Sequence, residues 1–248
     1  MNLAFDRGGE GPRLFVLLHG LGATRQVWNN LTGGGGLGAS WIAPDLRGHG
    51  ESPHAGDYQV GTHAADVGAL VRAAGRWNEI VVVGHSMGGV IALAMADCSV
   101  LAPVRVFGLG IKVAWNVDEL AGMEKFAHAP ARTFATEEEA VARHLKVSGL
   151  SGLLAPESED ARAGVKPVAG GWRLACDPAS ASIGAPRMPE LMAAARVPVH
   201  LACGSRDGLV SREQLAAYDR DAIDLPGGHN VMVENPDAVR KWIESRTM

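Results

Sequence analysis

Cysteine is scarce in this chain, with three in 248 residues: Cys98, Cys176 and Cys203. They lie far apart and form no C-x-x-C pair, which excludes the usual zinc and dithiol motifs. Their odd number argues against a disulfide framework and for a reducing compartment. A charge excess is also missing. The formal net charge is −4, and its carriers form no long single-sign run. The Glu137-Glu138-Glu139 cluster reads as a solvated helix start, and no basic patch points to nucleic acid. No apolar run reaches the ~18 residues of a membrane-crossing helix. The opening segment, Met1-Asn2-Leu3-Ala4-Phe5-Asp6-Arg7, has acidic and glycine residues where a secretion signal would be apolar. The expectation is a cytoplasmic protein. Neither nucleic acid nor membrane is expected as a partner, and no metal or cofactor. The oligomeric state stays open.

What is present is a repeating unit of short apolar strand, glycine-rich turn and helical pattern. The apolar runs are residues 14–18, 41–43, 80–83, 104–109, 197–202 and 222–225. Continuous apolar strands are buried on both faces, as in a parallel sheet covered by helices. Helical patterns at 61–74, 87–96, 212–218 and 236–246 alternate with them, the last with Asn235 as N-cap and Pro236 at its first position. Such alternation implies βαβ units. The Gly33–Gly38 run lacks the Lys and Ser/Thr of a phosphate loop and precedes a strand, so it reads as a connector.

The alternation breaks between Lys112 and Met188, where no convincing strand is found. Helical patches such as Thr136 to Val147 are interspersed with turn-rich stretches, including Pro167 to Gly171. The expected organisation is a core of residues 1–111 and 189–248 carrying a mainly helical insertion, 112–188. Most apolar residues of the insertion are expected to pack its own small core. Some could instead face a substrate.

Chemistry is carried by three strand ends. Gly84-His85-Ser86-Met87-Gly88-Gly89 fits G-x-S-x-G, follows a strand and opens a helix. That context places Ser86 on a tight, strained turn at the helix N-terminus, its hydroxyl beyond the sheet edge. A serine hydroxyl needs a base within hydrogen-bond reach. Among nine histidines, His229 stands out, because it follows the last strand in a loop at the carboxyl edge, where α/β sites gather. The imidazole needs an acid to fix its tautomer. Asp207, after the 197–202 strand, gives the chain order Ser, Asp, His expected for this motif, whereas its rival Asp45 precedes the serine. The oxyanion donors are expected to be the amides of Met87 and of Leu21, the latter in His19-Gly20-Leu21-Gly22 after the first strand.

These pieces, together with Asp45-Leu46-Arg47-Gly48-His49-Gly50-Glu51-Ser52 and Gly204 to Asp207, resemble the α/β-hydrolase fold superfamily. The likeness is to its lid-bearing branch of esterases, enol-lactone hydrolases, C–C bond hydrolases and cofactor-free haloperoxidases. It covers nearly the whole chain except the insertion, which falls where the lid falls, after the family's sixth strand. The resemblance implies a mostly parallel sheet flanked by helices, and for Asp45 to Ser52 a structural turn. Ser86 stands where epoxide hydrolases and haloalkane dehalogenases carry aspartate and dienelactone hydrolases cysteine. The implied activity is hydrolysis of a small carboxylic ester or lactone through an acyl-enzyme, with diketone C–C cleavage as the alternative. A non-catalytic binding protein of this fold is weighed against by the complete set of triad positions. Trp115 and Trp172 are the expected pocket walls. Lys112 and Arg173 could meet an anionic substrate, although surface charge is the simpler reading.

Overall fold

The computed structural model describes every residue except Gly34, Gly35, Ala55 and Met248. Its strands are β1 (Phe5–Gly8), β2 (Arg13–Leu18), β3 (Ser40–Pro44), β4 (Glu79–His85), β5 (Arg105–Leu109), β6 (Val165–Val168), β7 (Gly171–Leu174), β8 (Val199–Gly204) and β9 (Ile223–Leu225). Seven of them form one sheet in the order β1-β3-β2-β4-β5-β8-β9. All pairings in it are parallel except that of the edge strand β1 with β3. From β2 the chain moves to β3 on one side and then crosses to β4 on the other. The carboxyl ends of β2 and β4 therefore flank a switch point, where ligands bind in open α/β sheets.

The helices are α1 (Asn29–Thr32), α2 (Val60–Ala74), α3 (Met87–Met95), α4 (Val117–Ala127), α5 (Glu137–Val147), α6 (Glu159–Arg162), α7 (Met188–Ala194), α8 (Arg212–Leu215), α9 (Val231–Glu234) and α10 (Pro236–Thr247). Two apolar clusters cover the sheet. The period-2 alternation of a strand sends Leu14, Val16, Leu18 and Val82 toward Val67 of α2 and Ile91 of α3. It sends Phe15, Leu17, Val81 and Val83 toward Val239, Trp242 and Ile243 of α10. Both faces are dry, which is why the strands read as unbroken apolar runs. The expected cap of α10 is present, with the Asn235 side chain accepting from the Ala238 amide at 3.2 Å. The Gly33–Gly38 connector lies partly outside the described residues, at Gly34 and Gly35.

Two strand regions depart from the expectation. β1 is short, with Asp6 and Arg7 in its four residues, and an edge strand needs little apolar signal. The insertion is not without strands, since β6 and β7 pair antiparallel around Ala169 and Gly170. Lys166, Pro167 and Arg173 mask that hairpin in the sequence. The insertion also follows the fifth strand of the sheet in chain order, because only three sheet strands precede β4. Its core is not its own: Phe134, Val141, Leu145 and Val165 join the cluster that contains Phe15 and Trp242. Asn230 ties the two together, donating to the carbonyls of Ser148 and Gly149 at 3.2 and 3.0 Å.

α4 stands apart from this packing. A capping box between Asn116 and Glu119 starts it, yet none of its residues is buried, and Val117 is 80 % exposed. α5, by contrast, buries Ala140, Val141, His144 and Leu145. Few buried contacts mean a low free energy of local opening. Amides of α4 should therefore exchange with deuterated solvent well before those of α5 and α3. Equal protection of α4 and α5 in an exchange time course would contradict this.

Buried histidines set a second expectation. Burial holds His63 of α2 at a pKa of about 3 and His144 of α5 at about 4, and lowers those of His19 and His85 as well. The native state keeps these rings neutral, whereas the unfolded chain protonates them near ~6.5. Their contribution is whole above that pH and is lost as pH falls toward 4. The urea midpoint should drop between pH 6.5 and 5, before carboxylates respond, and His63→Leu should flatten that drop. A midpoint constant from pH 7 to 5 would contradict it.

Candidate active site

The turn after β4 is set by glycines. A Cβ on Gly84 would lie 2.1 Å from the Gly88 carbonyl oxygen, and one on Gly88 would lie 2.3 Å from that of Leu18. β4, the start of α3 and the end of β2 thus touch backbone to backbone. Ser86 between them has φ 50° and ψ −116°, a conformation costing a non-glycine residue about 1–3 kcal/mol. Its amide donates to the Leu109 carbonyl at 2.8 Å, and its carbonyl accepts from Val90 at 3.2 Å. Ser86 is half-buried at the N-terminus of α3.

Asp207 and His229 emerge after the neighbouring strands β8 and β9. His229 Nδ1 donates to Asp207 Oδ2 at 2.8 Å. The carboxylate side chain is fully buried and the imidazole is 20 % exposed. The Leu209 amide donates to the other carboxylate oxygen at 2.8 Å, fixing the acid's plane. His85, next to Ser86, places its ring 4.6 Å from that of His229, and its Nε2 donates to the His229 carbonyl at 2.9 Å. Gly110, after β5, has φ 63°, and a Cβ there would lie 3.3 Å from the His229 ring and 3.4 Å from Asp207 Oδ2. A side chain at 110 would crowd the pair. Gly110 was not singled out in the sequence, although a glycine ending an apolar strand was its signal.

The loop after β2 is held by two buried histidines. The Leu46 amide donates to His19 Nε2 at 2.9 Å, so the proton lies on Nδ1, which donates to the Gly20 carbonyl at 2.8 Å. The Gly22 amide likewise donates to His49 Nε2 at 3.1 Å, and His49 Nδ1 donates to the Arg47 carbonyl at 3.0 Å. The Ala23 amide bonds to the Gly20 carbonyl, so the two amides that follow Leu21 are taken. Met87 opens α3, and a first-turn amide has no partner one turn back. Leu21 and Met87 both line the cavity at Ser86.

Asp45 sits elsewhere. Its buried carboxylate accepts from the amides of Arg25 and Glu51 at 2.8 and 3.0 Å and pairs with the Arg25 guanidinium. Arg25 also reaches Asp6 and Glu51. The Asp45–Ser52 turn is closed by the Ser52 hydroxyl, which donates to the Asp45 carbonyl at 2.6 Å.

The cavity beside Ser86 measures about 70 Å³. Its core wall includes Leu21, Met87 and Val90. The insertion supplies Trp115, Met123, Ile183 and Pro186. Lys112 also lines it, 14 % exposed, with Nζ 2.5 Å from Glu119 Oε1 and 4.9 Å from the centre of the Trp115 ring. Trp172 is absent from this wall. It lies on β7, bridges to Phe134 and packs against the apolar cluster under the insertion. Among the described residues no three His, Cys, Asp or Glu side chains converge so as to hold a metal ion. No described helix is long and apolar enough to cross a membrane.

Comparison with known proteins bears on the fold and the family. Protein phosphatase methylesterase 1 of Bos taurus is 31 % identical over 158 residues, which are 60 % of this chain and 41 % of that protein. The chain spans about two fifths of the length of the curated relatives it matches. The crystal structure of E-2-(acetamidomethylene)succinate hydrolase superposes with a TM-score of 0.80 at 23 % identity, covering 98 % of this chain and 94 % of that one. A Mycobacterium tuberculosis esterase superposes at 0.75 with 21 % identity, covering 99 % and 89 %. At such identities the structures share the fold. The profile of the alpha/beta hydrolase family matches residues 15–242, and the chain belongs to that family.

Proposed function

We propose that this chain is a serine hydrolase cleaving a small carboxylic ester or lactone through an acyl-enzyme, with Ser86 as nucleophile, His229 as base and Asp207 as the acid that orients it. The reading rests on one observation: the 2.8 Å bond between His229 Nδ1 and buried Asp207 at the same sheet edge as the strained Ser86 turn. It is supported by relatives named as methylesterases and esterases.

In this reading the Asp207 bond fixes the proton on Nδ1 and leaves Nε2 to take the proton of Ser86 Oγ as that oxygen attacks the substrate carbonyl carbon. The oxygen of the tetrahedral intermediate accepts from the amides of Leu21 and Met87. One such donor is worth roughly 3–4 kcal/mol in the transition state. His229 then gives its proton to the departing alcohol oxygen. Water, deprotonated by the same nitrogen, attacks the acyl-enzyme, and the acid leaves. Trp115, Met123 and Ile183 form the apolar side of the cavity. Lys112 is neutralised by Glu119 there, so the reacting centre suits a neutral ester.

Ser86→Ala should fold as the native chain does and lose nearly all hydrolysis of short p-nitrophenyl esters. A fluorophosphonate probe should label Ser86, as read by peptide mass mapping. Label on another serine, or a variant that keeps substantial turnover, would remove Ser86 from the reaction.

Asp207→Asn is nearly isosteric and should fold, but its amide favours the wrong imidazole tautomer. The expected loss is on the order of 10⁴ in kcat. Asp45→Asn should behave in the opposite way. Its cost should fall on the melting temperature through the Arg25 pairing, with turnover per folded molecule close to native. If the Asp45 variant is folded and inactive while the Asp207 variant stays active, the acid is Asp45.

A further inference from the structure

A second cleft lies in the insertion, about 350 Å³ in volume. Its apolar wall includes Phe126, Phe134, Leu174 and Pro178. Three arginines share the lining, Arg132 from the loop before α5, Arg143 from α5 and Arg173 from β7, and no Asp or Glu does. The charge at Ser86 is handled differently, since Lys112 there is paired with Glu119. Among the described residues none of the three arginines has a carboxylate within ion-pair distance. Arg173 Nε donates to the Thr133 hydroxyl at 3.0 Å, and the Arg132 guanidinium lies 4.8 Å from the centre of the Phe134 ring. Glu139, one turn before Arg143, turns its carboxylate to the Ala135 amide at 3.2 Å. In a chain of net charge −4, three unneutralised guanidinium groups converge from three separate segments onto one apolar-floored cleft.

Two elements contribute to both the cleft and the cavity at Ser86. α4 gives Met123 to the cavity and Phe126, three residues on and on the same helix face, to the arginine cleft. The 3₁₀ turn Pro178–Ile183, packed along α4, does the reverse, with Pro178 at the cleft and Ile183 at the cavity. The two elements thus run in opposite senses between the two spaces. Met123 and Phe126 are about 4.5 Å apart along the helix axis at 1.5 Å per residue, less than one turn.

We propose that the arginine cleft binds an anionic group, carboxylate or phosphate, at the far end of the substrate whose ester bond lies at Ser86. Guanidinium forks match both anions, and the phenylalanines and Leu174 take the apolar chain between them. The inference rests on the serine-hydrolase reading for the cavity and adds the substrate class: an ester with a charged tail.

The test uses p-nitrophenyl esters of acyl chains of four to ten carbons that end in methyl, carboxylate or phosphate. At one chain length the native protein should prefer a charged tail over methyl in kcat/KM by about ten- to hundredfold, the usual weight of charge-assisted hydrogen bonds. The better anion identifies the source. Arg143→Gln, at the exposed face of α5, and Arg173→Gln, on half-buried β7, should abolish the preference through KM and leave the methyl-ended ester unchanged. High salt should shrink it too. Calorimetric titration of Ser86→Ala with adipate and with inorganic phosphate reads the cleft without hydrolysis. Binding that is lost in the Arg143→Gln, Ser86→Ala double variant supports the cleft. Methyl-ended esters turned over with no charged preference at any length, and no binding of either anion, would overturn it while the hydrolase reading stood. Anion binding with no ester hydrolysed would overturn the hydrolase reading and leave an anion site.

Discussion

Three stretches of backbone meet behind Ser86, closer than any side chain would allow. Gly84 faces the Gly88 carbonyl, and Gly88 faces the carbonyls of Leu18 and His19. That contact locks the end of β4, the start of α3 and the loop after β2 into one unit. It brings Ser86, the first amide of α3 and the Leu21 loop into register without a side-chain bond among them. The strained φ of Ser86 is tolerated because the surroundings over-determine it: the bonds to Leu109 and Val90 and the two glycine contacts would all have to yield together. Pre-organisation of this kind is what an oxyanion site needs, since donors fixed beforehand need no reorganisation during reaction.

The same region couples stability to site geometry. His19 spends both ring nitrogens on backbone groups of the loops around the site, and His49 meets such groups together with the Cys176 thiol. Protonating His19 at Nε2 would turn an acceptor into a donor facing an N–H. The edge-to-face contact of the two rings at 5.0 Å makes one polar element of the two loops. Asp45 and Arg25 close its other side. A carboxylate as buried as Asp45 resembles a catalytic acid in sequence, but it is spent on two amides and a guanidinium. Burial and an acidic side chain at a strand end do not suffice; the deciding fact is which nitrogen the carboxylate meets.

The core was legible because the residue types that shape it have narrow geometric reasons. Glycine is needed where backbones touch, and histidine and aspartate at strand ends meet where parallel strands deliver them. Chain order separated Asp207 from Asp45, and the side chain that meets His229 Nδ1 in the structure is Asp207. The insertion was harder to read. The β6–β7 hairpin carries charge and proline where strand signals are sought. Trp115 and Trp172 look alike in sequence, yet Trp115 lines the cavity and Trp172 packs over the sheet-face cluster. Lys112 read as surface charge although it is drawn inward by Glu119 seven residues on. Such placements depend on how short elements pack, which local patterns do not encode.

The division of labour between the two halves follows from their packing. The sheet end holds Ser86, Asp207 and His229 in place, and the insertion is anchored on it through α5, by way of Asn230, the residue after His229. Any shift of α5 would therefore pull on the loop that carries the imidazole. α4 is held less firmly, by the Lys112–Glu119 pair at its start. It buries no residue and meets the rest mainly along the 178–183 turn. It can move away at small cost without disturbing Asp207 or His229, and it is also the wall shared by the cavity and the arginine cleft. In the proposed reading that element borders both the reacting end and the charged end of the substrate. In that reading, changes on α4, β7 and the loop before α5 alter selectivity while the glycine-locked turn at Ser86 stays as it is.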